Sequence, residues 1–376
     1  MRKVATGKMS LTGLLAGGLL AMSAVNGAVA SPKFLYITNM NQAVRGFAVN
    51  ATTGALTVIP GSPWIADEFP FSSASSPGGT FVYTVNPSNS DISAFAVNAT
   101  SGVLTPVPGS PFALSMGSCC VRFVAHPNGK FAYGLETAYG VWPFVVNPTT
   151  GVLTAMGNSA QAGVFPTAQI DPSGRFLYTA NAGLSFIPDP AKTNNISAFS
   201  IDPTNGALTE IAGSPFPTGT DPVRLTTDPS GKYLLVSNLV SHDIRTYAIS
   251  QTTGALTQVG KVATGGSNFD VRFEPGGHFL YVTIGDLKRI SVYSFNAGSG
   301  ALSKVQDVNI SGGAHFLAVD PSGKFLLAET FTTNSSTAVA SYTINAATGI
   351  LTLSSGPFMV DGDTGVVGME LSGTAQ

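Results

Sequence analysis

Asp171-Pro172-Ser173-Gly174-Arg175-Phe176-Leu177-Tyr178 is the stretch that decides the fold. Pro172 presets φ for a turn, and Gly174 supplies positive φ near the turn's end. The Phe-Leu-Tyr that follows reads as the start of a strand. The same text returns as Asp320-Pro321-Ser322-Gly323-Lys324-Phe325-Leu326-Leu327, and variants begin at Ser76, His126, Asp228 and Glu274. A shortened copy, Ser31-Pro32-Lys33-Phe34-Leu35-Tyr36, opens the series. A second marker follows each copy: Gly, any residue, Leu, then Thr or Ser. Its seven glycines are Gly54, Gly102, Gly151, Gly206, Gly254, Gly300 and Gly349. A period of roughly 48 residues matches a four-stranded propeller blade.

Between the markers lie short apolar runs such as Ile92-Ser93-Ala94-Phe95-Ala96-Val97. Neither face of that run is charged, so neighbouring sheets are expected to cover both. Each repeat then holds four strands: one before the Asp-Pro-Ser-Gly turn, the Phe-Leu-Tyr run, the Ile-Ser-Ala-Phe run and the Ala-Leu-Thr run. The first repeat lacks its innermost strand. Near its C-terminus stands Val366-Val367-Gly368-Met369-Glu370-Leu371-Ser372-Gly373, which reads as an innermost strand plus its turn with no blade of its own. The reading is therefore all-β: a seven-bladed β-propeller of four-stranded blades, with the C-terminal strand joining the N-terminal blade to close the ring. Closure removes the exposed sheet edges an open array would leave.

Composition excludes other classes. Hydrophobic residues are 44% of the chain and charged residues only 10%, which fits neither a disordered chain nor a coiled coil. The net charge of −2 offers no basic footprint for nucleic acid. Arg2, Lys3 and Lys8 precede an apolar run over 11–25, and Ala28-Val29-Ala30 forms a small-x-small cleavage site before Ser31. Residues 1–30 thus read as a secretory signal peptide, too short and Gly-rich for a good membrane span. No other segment could span a membrane. Residues 31–376 are expected to be one propeller domain, exported to the periplasm or secreted.

The two marker turns fall on one rim, which reads as scaffold. The opposite rim carries the loops after the second strands and, on this reading, the Pro-Gly-Ser-Pro connections. Its longest loop runs over about 182–195 and is either a lid or a tolerated insertion. Counting seven residues back from each turn glycine reaches Ser72, Arg122, Thr167, Arg224, Asp270 and Phe316 near the axis. Arg122, Arg224, Asp270 and the nearby Arg272 form either an anion site or the ion-paired lining of a water-filled channel. Glu136 and Glu329 lie near the ends of second strands, close to the channel mouth, where burial could make one a general base. Asn181 and Asn238, like Asn39 and Asn86, recur at equivalent positions; they are candidate substrate ligands or loop-bonding groups.

Of four histidines, His126 and His278 fall in scaffold turns and His242 in a loop. Only His315 reaches an innermost strand, which makes it a candidate catalytic base. Cys119-Cys120 is either a strained vicinal bridge or two thiols. No CxxC, HExxH, G-x-S-x-G or Walker pattern occurs, and Asp361-Gly362-Asp363 is too short for an EF-hand loop. The sequence supports no metal site and no cofactor.

The full repeat text resembles the lactonase-type seven-bladed propeller family. That family includes 6-phosphogluconolactonase-like and carboxy-muconate cyclase-like proteins and borders the YVTN-repeat propellers. The resemblance covers about residues 32–373. Its activity motif, G-P-R-H-x-x-F-H-P-x-G-K-x-x-Y-x-x-x-E, is matched best by residues 120–133. His126-Pro127-Asn128-Gly129-Lys130 and Tyr133 agree with it. Cys120-Val121-Arg122 stands where the family has Pro-Arg-His. Thr137 stands at the family glutamate, with Glu136 one residue before. The resemblance implies a hydrolase that opens a small, aldonolactone-like or sugar-derived lactone. Glu136 or His315 would be the base, Arg122 and Arg224 would hold a carboxylate or oxyanion, and Asp270, Arg272, Asn181 and Asn238 would bind substrate. The competing reading is a non-catalytic propeller whose rims bind a protein or glycan.

Overall fold

The computed structural model describes residues 33–39, 43–67, 70–114, 120–157, 159–164, 166–182, 193–331, 337–360 and 366–371. These belong to one compact unit, Pro32–Gln376. Seven antiparallel sheets make up the unit. Their innermost strands are Ser72–Ser75, Cys120–Ala125, Thr167–Ile170, Pro222–Thr227, Asn268–Phe273, Leu317–Val319 and Val366–Leu371. Each touches the next, and the last touches the first, so the ring is complete. Closure follows the expected route: Val366–Leu371 pairs with Lys33–Asn39, with Leu371 opposite Leu35 and Met369 opposite Ile37. We number the blades from that closing sheet, so Ser72 lies in blade two and Leu317 in blade seven.

Burial explains the uncharged runs. The second strands Phe176–Asn181, Tyr233–Asn238 and Phe279–Ile284 are buried at every residue. Both faces of such a strand meet neighbouring blades, so alternation of polar and apolar residues disappears. No helix among the described residues is long and apolar enough to cross a membrane.

The two sequence markers turn out to be two halves of one contact between blades. The Tyr36 hydroxyl donates to the Gly102 carbonyl at 2.7 Å, Tyr133 to Gly206 at 2.9 Å and Tyr178 to Gly254 at 2.9 Å. Tyr83 and Tyr281 do the same to Gly151 and Gly349, each at 3.2 Å. Each tyrosine is the third residue of a Phe-x-Tyr run opening a second strand, and each glycine comes from the turn of the following blade. Leu235 and Leu327 occupy the tyrosine position in the remaining two of these runs and are fully buried, so those joints lack the tyrosine hydroxyl bond. Gly254 has φ +74°, and an added Cβ would lie 2.5 Å from Phe176 Cδ1 and 2.6 Å from Ile211 Cδ1. Gly254→Ala is therefore expected to lower unfolding stability by about 2 kcal/mol, from left-handed strain and overpacking together. A urea titration checks this. A change under about 0.5 kcal/mol, the surface-substitution range, would mean the joint is loosely packed.

The Pro-Gly-Ser-Pro runs are not rim connections, contrary to the sequence reading. In blade two, Leu104–Pro106 and Phe112–Ala113 both pair with Asp91–Val97, so the run is a bulge in the outer strand. Ser110 Oγ accepts from the Ala94 amide at 2.8 Å. Ser62 and Ser214 do the same for Gly46 at 3.0 Å and Ala198 at 3.1 Å. The hydroxyl thus supplies the acceptor the ladder loses at the bulge. Bulge and proline together blunt an exposed edge. In blades five to seven the outer strand runs unbroken, as Leu256–Ala263, Ala301–Asn309 and Leu351–Met359.

Candidate functional site

Strand register carries side chains to the axis. Ser72 pairs with Val85, Arg122 with Leu135, Thr167 with Ala180 and Arg224 with Ser237. Blades six and seven keep the pattern through other bonds. The Asp270 amide donates to Thr283 Oγ1 at 2.8 Å, and the Glu329 amide donates to the Phe316 carbonyl at 3.0 Å. These are the six positions reached by counting back from the turn glycines.

Four of the predicted residues come together there. Asp270 is fully buried. Its Oδ1 lies 3.2 Å from Arg224 Nε and 3.2 Å from Arg272 Nε. The same carboxylate accepts from the Val271 amide at 2.9 Å and, across to blade seven, from the Leu317 amide at 3.0 Å. Arg122 approaches from blade three, its guanidinium 5.1 Å from the Phe71 ring. Arg224 lies 5.6 Å from the Phe316 ring. Arg122, Arg224 and Arg272 line one axial cavity of about 60 Å³, together with Ser72, Ser73 and Thr167. Burial, followed by the Arg224 charge, pushes the Arg122 guanidinium down to about 9, with Asp270 opposing the shift. Arg122 is still charged at neutral pH.

The other four predicted residues do not line this cavity. Glu136 ends the strand Phe131–Glu136, and its Oε2 accepts from Trp142 Nε1 at 3.0 Å, toward the third strand of its own blade. Asn181 is buried and bonded within blade four, to Asn195 at 2.7 Å, Ser197 at 2.9 Å and Thr179 at 2.9 Å. Asn238 is buried and donates to Asp243 Oδ1 at 2.7 Å. Both asparagines organise the loops after second strands. His315 precedes the strand Leu317–Val319 rather than lying on it. Its ring stacks on Phe269 with centroids 4.4 Å apart, and burial lowers its pKa. His126 is structural: Nε2 meets the Gly174 carbonyl at 2.8 Å, and Nδ1 accepts from the Asn128 amide at 3.0 Å. Cys119, most of the 182–195 loop, Asp361 to Asp363 and residues 1–30 lie outside the described residues.

Sequence reading did not assign a site role to Ser73, Thr167 or Gln169, all of which line the cavity. Thr167 was reachable by the same count that found Arg122. Glu329 is the other surprise. The register-equivalent residues are Val85, Leu135, Ala180, Ser237 and Thr283, yet this one is a fully buried carboxyl. Its Oε2 accepts from the His315 amide at 3.3 Å, while Oε1 has no hydrogen-bond partner. Burial, with Asp270 adding to it, pushes the group up to about 8 against two backbone hydrogen bonds that lower it.

Comparison with known proteins places this geometry. The family model described as lactonase, 7-bladed beta-propeller, matches residues 122–273 and 263–367. A 6-phosphogluconolactonase of Formosa agariphila is 30% identical over 162 residues, covering 41% of this chain and 44% of that protein. The match thus spans less than half of that relative's length. A Bacteroides fragilis structure, provisionally designated a 6-phosphogluconolactonase, superposes with a TM-score of 0.75 at 21% identity, over 92% of this chain and 99% of that one. The periplasmic gluconolactonase of Pseudomonas aeruginosa gives a TM-score of 0.69 at 15% identity, over 91% and 99%. At such identities the two structures speak to fold alone. The family model spans well over half of the sequence, and the seven blades agree with it: the chain belongs to the seven-bladed β-propeller lactonase family.

Proposed function

We propose that this protein is an exported lactonase-family hydrolase that opens a small, aldonolactone-like lactone at the axial cavity. One observation carries the reading: Arg122, Arg224 and Arg272 converge on one cavity in a chain of the lactonase family. Attack on a lactone carbonyl builds negative charge on its oxygen. Guanidinium groups already fixed in a desolvated site stabilise that charge without reorganising. Arg122 and Arg224 fill this role, and Asp270 holds Arg224 and Arg272 in place. His315 stacks on Phe269 outside the cavity lining, so the attacking water gives its proton to solvent rather than to that imidazole. The name of the relative in Formosa agariphila, a 6-phosphogluconolactonase, supports the substrate class. The basic start, apolar run and Ala28-Val29-Ala30 support export with Ser31 as the mature N-terminus.

A second reading, a non-catalytic binding propeller, is favoured by Arg122 at the position of the family histidine. Titrating the acid released from a lactone panel that includes gluconolactone separates the two. The first reading expects turnover above the spontaneous rate, reduced about a hundredfold by Arg122→Ala or Arg224→Gln with thermal unfolding intact. Background rates on every lactone would leave the second. Export is checked separately: N-terminal sequencing of protein from the exported fraction should begin at Ser31, and an intact Met1 would exclude cleavage.

A further inference from the structure

We propose that the axial cavity binds the carboxylate end of a hydroxy acid, the product class of lactone opening, in preference to the uncharged lactone. The ligand's identity rests on the lactonase reading; the cavity's chemistry does not. In lactone hydrolysis water oxygen bonds to the acyl carbon and the bond from that carbon to the ring oxygen breaks. The ring oxygen leaves with one proton as a hydroxyl. The new acid gives its other proton to solvent and becomes a carboxylate. A neutral molecule thus turns into an anion with one more hydroxyl.

The cavity is built for those two groups. Arg122, Arg224 and Arg272 bring three guanidinium groups to it, and the buried Asp270 pairs with Arg224 and Arg272. Planar guanidinium forks match carboxylates, and the low local dielectric strengthens the attraction. The lowered Arg122 pKa has the same origin: a neighbouring anion would raise it again. The independent observation concerns hydroxyls. Ser73 and Thr167 line the cavity at 6% and 7% exposure, and neither side-chain oxygen has a hydrogen-bond partner. A buried hydroxyl left without a partner is costly, so both gain from a ligand hydroxyl.

Size then limits what is read. A cavity of 60 Å³ holds about five water-sized groups. That suits a carboxylate with its adjacent hydroxylated carbon. Recognition is therefore of the acid end, and the rest of the ligand extends along the axis.

Calorimetric titration of the purified protein at low salt tests this, using sodium gluconate, sodium glycerate, sodium acetate and uncharged gluconamide. Gluconate and glycerate should bind within about threefold of each other, whereas gluconamide should bind about thirtyfold more weakly for want of charge-assisted hydrogen bonds. Thr167→Val, which keeps the shape, should weaken gluconate about fivefold, and Arg224→Gln about thirtyfold. Gluconamide or acetate binding as tightly as gluconate would overturn the proposal, as would no binding of either hydroxy acid. Lactone turnover without gluconate binding would sink this inference and keep the hydrolase. Gluconate binding without turnover of any lactone would sink the hydrolase and keep the receptor.

Discussion

Asp270→Ala is expected to cost about 3 kcal/mol of folding stability at pH 7, read from urea unfolding. The carboxylate is fully buried and joins three blades: Arg224 of blade five, its own Arg272, and the Leu317 amide of blade seven. Truncation removes the anion that both guanidinium groups share and leaves a buried amide without its acceptor. Removing one partner of a buried pair costs about 3–5 kcal/mol, and the lower end applies because the arginine side chains keep contact with water. Their exposures are 18% and 32%. Asp270→Asn retains an acceptor oxygen for a backbone amide and should lose about half as much. If the alanine variant lost under about 1 kcal/mol, water rather than Asp270 would be holding the arginines, as at an exposed pair. Gluconate should restore more stability to Asp270→Ala than it adds to the parent, because it replaces the missing carboxylate.

The second large effect depends on pH. Glu329 holds its proton in the folded chain up to about pH 8, against an ordinary value of 4.5. The folded state therefore binds one more proton than the unfolded state between those limits. Its contribution to stability is complete below pH 4.5, falls as pH rises, and is gone above 8. Glutamine has the same shape and no proton to lose. Relative to the parent, Glu329→Gln should gain roughly 4 kcal/mol between pH 4.5 and pH 9, with the gain levelling off above pH 8. Denaturant titrations at four or five pH values trace the difference. A difference independent of pH would mean that the carboxylate, once formed, finds a cation or water that its surroundings do not show.

These two residues divide what was legible from what was not. Asp270 was found by counting back from Gly277, because every blade repeats one register and the turn glycine fixes its phase. The count reached Arg122 and Arg224 in the same way. It could not separate Glu329 from Glu136, which both lie near the ends of second strands in sequence. In space, one carboxyl is sealed beneath the His315 amide, and the other reaches outward to Trp142. Asn181 and Asn238 take the loop-bonding alternative of the sequence reading: their repetition marks bonding within each blade, and repetition alone does not say where an amide points.

By itself the sequence determined the seven blades, the strand order within each and the closure by Val366–Leu371. Those features follow from local turn chemistry and uncharged runs, and both repeat along the chain where they can be read. It also placed charged residues near the axis. Only the tertiary structure decided that Arg122, Arg224 and Arg272 line one cavity, that Asp270 is buried against two of them, and that Ser73 and Thr167 leave bare hydroxyls beside them. It alone set the proline runs in the outer edge. Such pairings join residues from different blades, and ring closure, which no single repeat encodes, is what brings those blades face to face across the axis.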